Sequence, residues 1–137
     1  DENQMLLRLG SSIPFHTIDS VLSPEILQEI SQEIQKVFVD DKVRDYIVKL
    51  VHATRNHSQV DTGASPRASL SLFSGSRSWA AMEGRDFVTP DDVKAIAVPV
   101  LSHRITLKAQ ARFSHAEPEA VIKEILETVK VPAGVSL

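Results

Sequence analysis

Apolar residues recur at three- and four-residue steps in four stretches of this chain, and each stretch predicts an amphipathic helix. The first opens at Ser23. Ile26, Leu27, Ile30, Ile34 and Val37 make one face, and Gln28, Glu29, Gln32, Glu33 and Lys36 the other. Ser23 suits the N-cap, Pro24 the first helical position, and Glu25 adds favourable charge to the first turn. Val37 to Val39 then reads as an extended piece. The second helix, capped by Asp40 or Asp41, carries the cleanest stripe: Val43, Tyr46, Ile47, Leu50, Val51 and Thr54. It is expected to end near Asn56, where His52, Arg55 and His57 place cations beside unpaired carbonyls.

Ser65 to Glu83 predicts a third helix of a different kind. Arg67, Ser71, Ser74 and Ser78 share one stripe, while Leu72, Phe73, Trp79, Ala80 and Met82 spread over the others. Gly75 lies mid-helix at a cost of about 1 kcal/mol relative to Ala. Small side chains admit a close neighbour, so this helix is expected at the centre. Arg77 is expected to cap or pair locally, and Gly84 to end the helix. Thr89-Pro90-Asp91-Asp92 opens the fourth helix, with Thr89 and Asp92 spaced as a capping box. Val93, Ile96, Ala97, Val100 and Leu101 form its core face, and Pro99 predicts a kink.

The period then changes. Ile105, Leu107, Ala109, Ala111 and Phe113 alternate with polar residues, which reads as a strand or extended arm. Ser11 to Ile18, with a short strand at Phe15 to Ile18, is the nearby candidate partner for a two-stranded element. Glu117 to Val129 predicts the last helix, with Pro118 first and Val121, Ile122, Ile125, Leu126 and Val129 as its apolar face. Asp1 to Leu9 reads as a short helix stopped by Gly10, followed by an extended connection to Leu22. The fold class is therefore all-α: a small bundle of four to five helices, with room for one short two-stranded element.

Composition narrows the chemistry. At 137 residues the chain is one domain long, with a net charge of −3 and no cysteine. That argues against a bulk electrostatic attraction to nucleic acid, and it excludes a disulfide framework, a thiolate metal site and a cysteine nucleophile. No apolar run approaches the ~20 residues that cross a bilayer, and no signal peptide pattern opens the chain. The start at Asp1 without Met is expected of a piece of something longer. No phosphate loop, zinc-protease spacing or Ser-His-acid set is present. His52 and His57 do not share a helical face. Asp91 and Asp92 read more simply as helix-start charges than as metal ligands. An enzyme complete in these residues is not expected.

Gly63-Ala64-Ser65-Pro66-Arg67-Ala68 stands out. Gly63 suits a turn that other residues resist, Ser65 an N-cap, and Pro66 the first helical position. Arg67 then projects from the start of a helix, where anions are favoured and a guanidinium can fork onto a phosphate. The plainer alternative is a capped helix with an arginine in water. Arg55 likewise reads as a helix-end cation, or as a residue turned toward a nucleotide or a neighbouring subunit.

With Ala53-Thr54-Arg55 before it, Gly84-Arg85-Asp86-Phe87-Val88-Thr89-Pro90-Asp91-Asp92-Val93 after it, and then Val100-Leu101-Ser102-His103-Arg104, this segment resembles the C-terminal lid subdomain of MoxR-type AAA+ ATPases. The resemblance runs from about Val21 to Arg104. It implies residues 1–22 as a hinge-side helix and connection, 23–104 as the lid bundle, and 105–137 as an arm and C-terminal helix packing on it. It makes Arg67 the sensor-2 arginine, reaching the γ-phosphate of ATP. The nucleotide-binding set would be Gly63, Ala64, Ser65, Pro66, Arg67 and Tyr46, with Pro66 and Tyr46 packing against adenine. Magnesium would be held by the missing core. The implied partners are the chain's own AAA+ core, neighbouring subunits of a homo-hexameric ring and a von Willebrand factor A-type protein. The implied setting is cytoplasmic, without nucleic acid or membrane insertion, and the implied work is chaperone-like remodelling. The competing reading is a stand-alone helical adaptor that binds protein and no nucleotide.

Overall fold

The computed structural model describes residues 3–4 and 19–133. The expected strand at Phe15 to Ile18, and all but Asn3 and Gln4 of the expected opening helix, lie outside the described residues. The chain divides into two compact units, Asp1–Gln32 and Glu33–Leu137. The first unit contains most of α1 (Pro24–Lys36), whose start is capped as expected: the Ile26 N–H donates to Ser23 Oγ at 3.3 Å. Its predicted apolar face forms, but no α1 residue is buried, and Ile26, Leu27 and Ile30 are exposed.

The second unit is organised around α2 (Asp41–Asn56). Asp40 is the cap, accepting from the Lys42 N–H at 2.8 Å. The predicted stripe is the buried face: Val43, Tyr46, Ile47, Leu50, Val51 and Thr54 are all covered. After β1 (Val60–Thr62) the chain enters α3 (Pro66–Met82), and α4 (Pro90–Leu101) follows. The α3–α4 contact is the most extensive in the fold. Gly75 explains part of it, because a Cβ there would lie 2.8 Å from Ile96 Cδ1. The expectation of a central α3 with a close neighbour holds. Gly84 ends it at a φ of 73°, the left-handed conformation that glycine takes without strain. α4 continues past Pro99 to Leu101 and tightens into a 3-10 turn at Ser102–Arg104.

The remainder differs from the period-two reading. Only Thr106–Leu107 is a strand, β2, and its antiparallel partner is β1, with Val60 opposite Leu107 and Thr62 opposite Thr106. Ser11 to Ile18, the partner expected for this strand, lies outside the described residues. From Ala109 the chain turns into α5 (Ala109–Phe113). The alternation there rests on Ala109 and Ala111, which are too small to demand a buried sheet face, and Ala, Gln and Arg are good helix formers. Phe113, the last apolar position of that alternation, is 85% exposed. α6 (Pro118–Thr128) then packs Val121, Ile122 and Ile125 onto α2 and α4.

Two polar devices close the bundle. Phe38 pairs in a parallel bridge with Phe87, so the extended entry to α2 is pinned to the α3–α4 connection. Beyond it, Arg85 grips Asp92 with both terminal nitrogens, at 2.7 and 2.5 Å, while Asp92 also accepts from the Thr89 N–H at 2.7 Å. The Thr89–Asp92 capping box is complete, as predicted. Burial alone would raise the Asp92 pKa, but the hydrogen bonds from Arg85 and Thr89 outweigh it and hold the carboxyl below the usual range. A folded-state pKa below the unfolded value stabilises fully above about pH 4 and is lost as pH falls through the folded value. Asp92→Asn is therefore expected to lower stability near neutrality by about 2 kcal/mol. The gap to wild type should narrow in acid, in a series of thermal melts from neutral pH downward. A gap that stays constant with pH would contradict this role for the carboxylate.

Candidate functional site at the start of α3

The site is assembled by the end of α2. Thr54 occupies a core-facing position, and its hydroxyl donates back to the Val51 carbonyl at 2.6 Å. That leaves Oγ1 free to accept the Ala64 N–H at 3.0 Å. Arg55, the next residue, donates from Nε to the Ala64 carbonyl at 2.9 Å. Ala64 is fully buried. A buried amide without partners is costly, and here two consecutive side chains satisfy both of its polar groups.

Gly63 serves this arrangement by size and not by conformation. Its φ is not positive, contrary to the turn expected of it. A Cβ on it would instead lie 2.6 Å from Arg55 Cα and 2.6 Å from Arg55 Cγ. The missing side chain is what lets the loop lie against the Arg55 main chain and stem.

Ser65 is extended, with φ −75° and ψ 166°, as a residue before proline must be. It is the N-cap by position, but its hydroxyl caps no amide, a second difference from expectation. Pro66 takes the first helical place. The Ala68 N–H donates to the Ser65 carbonyl at 2.9 Å, and Ala68 is fully buried. Between the buried residues Ala64 and Ala68, Ser65, Pro66 and Arg67 are exposed.

The arginines of α2 and α3 differ in what they hold. Arg44 pairs with Asp41 and donates to the Val39 carbonyl. Arg55 holds Ala64. Arg77 lies over the Phe73 ring, 4.4 Å from its centroid, which is the local pairing expected of it. Arg67 has no side-chain partner among the described residues. Its amide, one residue into the helix, has no intrahelical carbonyl to meet. The start of α3 thus presents a guanidinium, an unpaired amide and an uncommitted hydroxyl on a fixed backbone, an arrangement suited to an oxyanion.

Of the expected site residues, Gly63 to Arg67 are brought together and Tyr46 is not. Tyr46 is 1% exposed in the α2 core, and burial, with Asp91 nearby, pushes its phenol pKa up. A ring covered by its own core offers no face to adenine. His57 contacts Glu124 at 3.4 Å and accepts the Gln59 N–H on Nδ1, and Asp91 pairs with Lys94. Among the described residues no group of three acidic or histidine side chains is placed to hold a metal. Sequence reasoning missed the roles of Thr54 and Arg55. One signal was present in the chain: a hydroxyl on an otherwise apolar stripe needs a partner, and Thr54 is that hydroxyl.

The profile of the AAA lid domain matches residues 52–125, from the end of α2 into α6. The chain belongs to the AAA lid domain family. Its relatives make it a lid of the MoxR type. It is 36% identical to YeaC of Bacillus subtilis over 96% of its length, covering 41% of that protein. It is 36% identical to the chaperone MoxR1 of Mycobacterium tuberculosis over 96% of its length, covering 37% of that protein. A crystal structure of a candidate ATPase from Cytophaga hutchinsonii superimposes with a TM-score of 0.80 at 29% identity, over 96% of this chain and 42% of that one. The chain thus spans about two fifths of the length of these three proteins.

The lid's two helix-facing glycines separate by what a methyl group would meet. Gly63→Ala drives Cβ into the Arg55 main chain and is expected to destabilise by about 1–3 kcal/mol. Gly75→Ala meets only the tip of the Ile96 side chain and gains helix propensity, so it should stay within about 1 kcal/mol of wild type. Urea unfolding of the two variants tests the contrast, and equal losses would contradict it.

Proposed function

We propose that this lid closes over ATP held on an AAA+ core, with Arg67 as the sensor-2 arginine that reaches the γ-phosphate. The observation that carries the reading is Arg67 itself: an exposed guanidinium without a partner among the described residues, set three residues beyond a doubly held, buried Ala64. Ser65 and the Arg67 amide lie beside it and fit the same ligand. The residues that bind magnesium and activate water belong to the core.

The physical logic is differential binding. Arg67 gains its partner only while the γ-phosphate is present, so ATP favours the closed lid and hydrolysis removes that preference. In the transition state the guanidinium faces the charge spread over the transferred phosphoryl oxygens. Closure and release would then pass to neighbouring subunits of a hexameric ring. The ring would do chaperone-like work on a partner complex in the cytoplasm, with a von Willebrand factor A-type protein as companion. The name of the Mycobacterium tuberculosis relative, a chaperone, supports the chaperone-like part of this reading.

ATP turnover is measured on the chain extended upstream to include its core, with Arg67 intact and with Arg67→Ala. A loss of at least about tenfold, near 1.4 kcal/mol of barrier, is expected. Unchanged turnover would remove Arg67 from the reaction and leave the protein-binding adaptor as the better account.

A further inference from the structure

We propose that Arg55 is a positioning residue for Arg67, acting through its Nε–H on the Ala64 carbonyl; the inference rests on the sensor-2 reading of Arg67. The contact is made by Nε, at 2.9 Å, and not by the charged terminal nitrogens that a helix-end cation would direct at carbonyls of its own helix. The stem of Arg55 runs flat along Gly63, whose absent side chain makes room for Cγ. Arg55 thus reaches across the loop to the residue that fixes where α3 starts.

The connection from Ala64 to Arg67 has few soft torsions. Ser65 is confined to extended backbone by the following proline, Pro66 has a fixed φ, and Arg67 is already helical. Holding the Ala64 carbonyl therefore sets the direction in which Arg67 leaves the helix. Thr54 holds the other side of the same residue, through the Ala64 N–H. With Thr54 alone, Ala64 could pivot about that one bond. The Arg55 bond removes the pivot. A guanidinium that must meet a phosphate oxygen at hydrogen-bond distance tolerates little such rotation, since a 1 Å misplacement alone can cost up to about a hundredfold in rate.

Three substitutions separate the donor from the charge. Gln places an amide nitrogen where Arg has Nε and carries no charge. Met has similar length and no donor. Lys keeps the charge but puts a methylene at the Nε position. In the core-containing protein, Arg55→Gln is expected to keep kcat within about twofold, while Arg55→Met loses about tenfold in kcat with little change in KM for ATP. That split marks a group that aligns Arg67 in the transition state without binding ATP itself. Amide hydrogen exchange at Ala64 should speed up in Arg55→Met and stay near wild type in Arg55→Gln.

Activity kept in Arg55→Lys but lost in Arg55→Gln would overturn the proposal and make Arg55 a direct contact to the nucleotide. Wild-type kcat in Arg55→Met would also overturn it. Should Arg55→Met not fold, Arg55→Gln still decides, because its loss of activity in a folded protein rules out the donor role. Arg67→Ala in the same assay keeps the two readings apart. Loss there with normal Arg55→Met refutes only the positioning role. Normal turnover there refutes the sensor-2 reading and the positioning role with it.

Discussion

Ala64 is the residue on which the arrangement of this lid depends. It is fully buried between α2 and α3, a place where an amide without partners would cost more than any single contact nearby returns. Thr54 and Arg55 supply both partners from one turn of α2. The bond network reaches back through the Thr54 hydroxyl to the α2 main chain, so the start of α3 is referenced to the helix whose apolar stripe is buried in the core. β1 precedes the loop and is paired to β2, and β2 leads through α5 to α6, which packs on α2 again. The loop is thereby enclosed by a closed circuit of contacts.

The other end of α3 is held by a separate device. Arg85 and Asp92 tie the turn at Gly84 to the first turn of α4, while Gly75 allows α4 to lie close along the middle. A helix fixed at both ends and packed along its length cannot change its direction without breaking buried polar contacts. This gives a physical reason to treat residues 33–133 as one body, able to carry a small displacement at α3 to its far surfaces.

The elements that were legible in the chain were those in which local chemistry and burial agree. The α2 stripe, the Thr89–Asp92 box and the Pro118 start each combine a periodic apolar face or a cap with the burial that follows. The misread elements share a cause: a residue type with two uses. Alanines at alternate positions look like a strand, but they are equally suited to a helix, and α5 took the second use. Gly63 looks like a turn residue because glycine tolerates unusual backbone, yet its use here is to leave a space. Ser65 stands at the cap position, and its hydroxyl stays uncommitted. Thr54 and Arg55 lie within the conspicuous Ala53-Thr54-Arg55, but their target is nine or ten residues away across a loop, a distance that no helical period encodes. Pairing them with Ala64 required the tertiary fold.

That distinction between committed and uncommitted side chains also bears on Arg67. Arg44, Arg55 and Arg77 spend their donors or faces on the protein itself, on a carboxylate, a carbonyl and a ring. Ordering them helps fix the fold. Arg67 remains exposed and keeps its rotamer freedom, which a side chain of this length loses at a cost of up to about 2 kcal/mol when it is held. On the proposed reading, that loss is offset only by a charge-assisted contact to phosphate. The backbone is rigid up to the Cα of Arg67, and the side chain beyond it is free. On that proposal, a fixed base with a free tip would let the lid discriminate between nucleotide states, because a ligand lacking the γ-phosphate would leave the tip unpartnered.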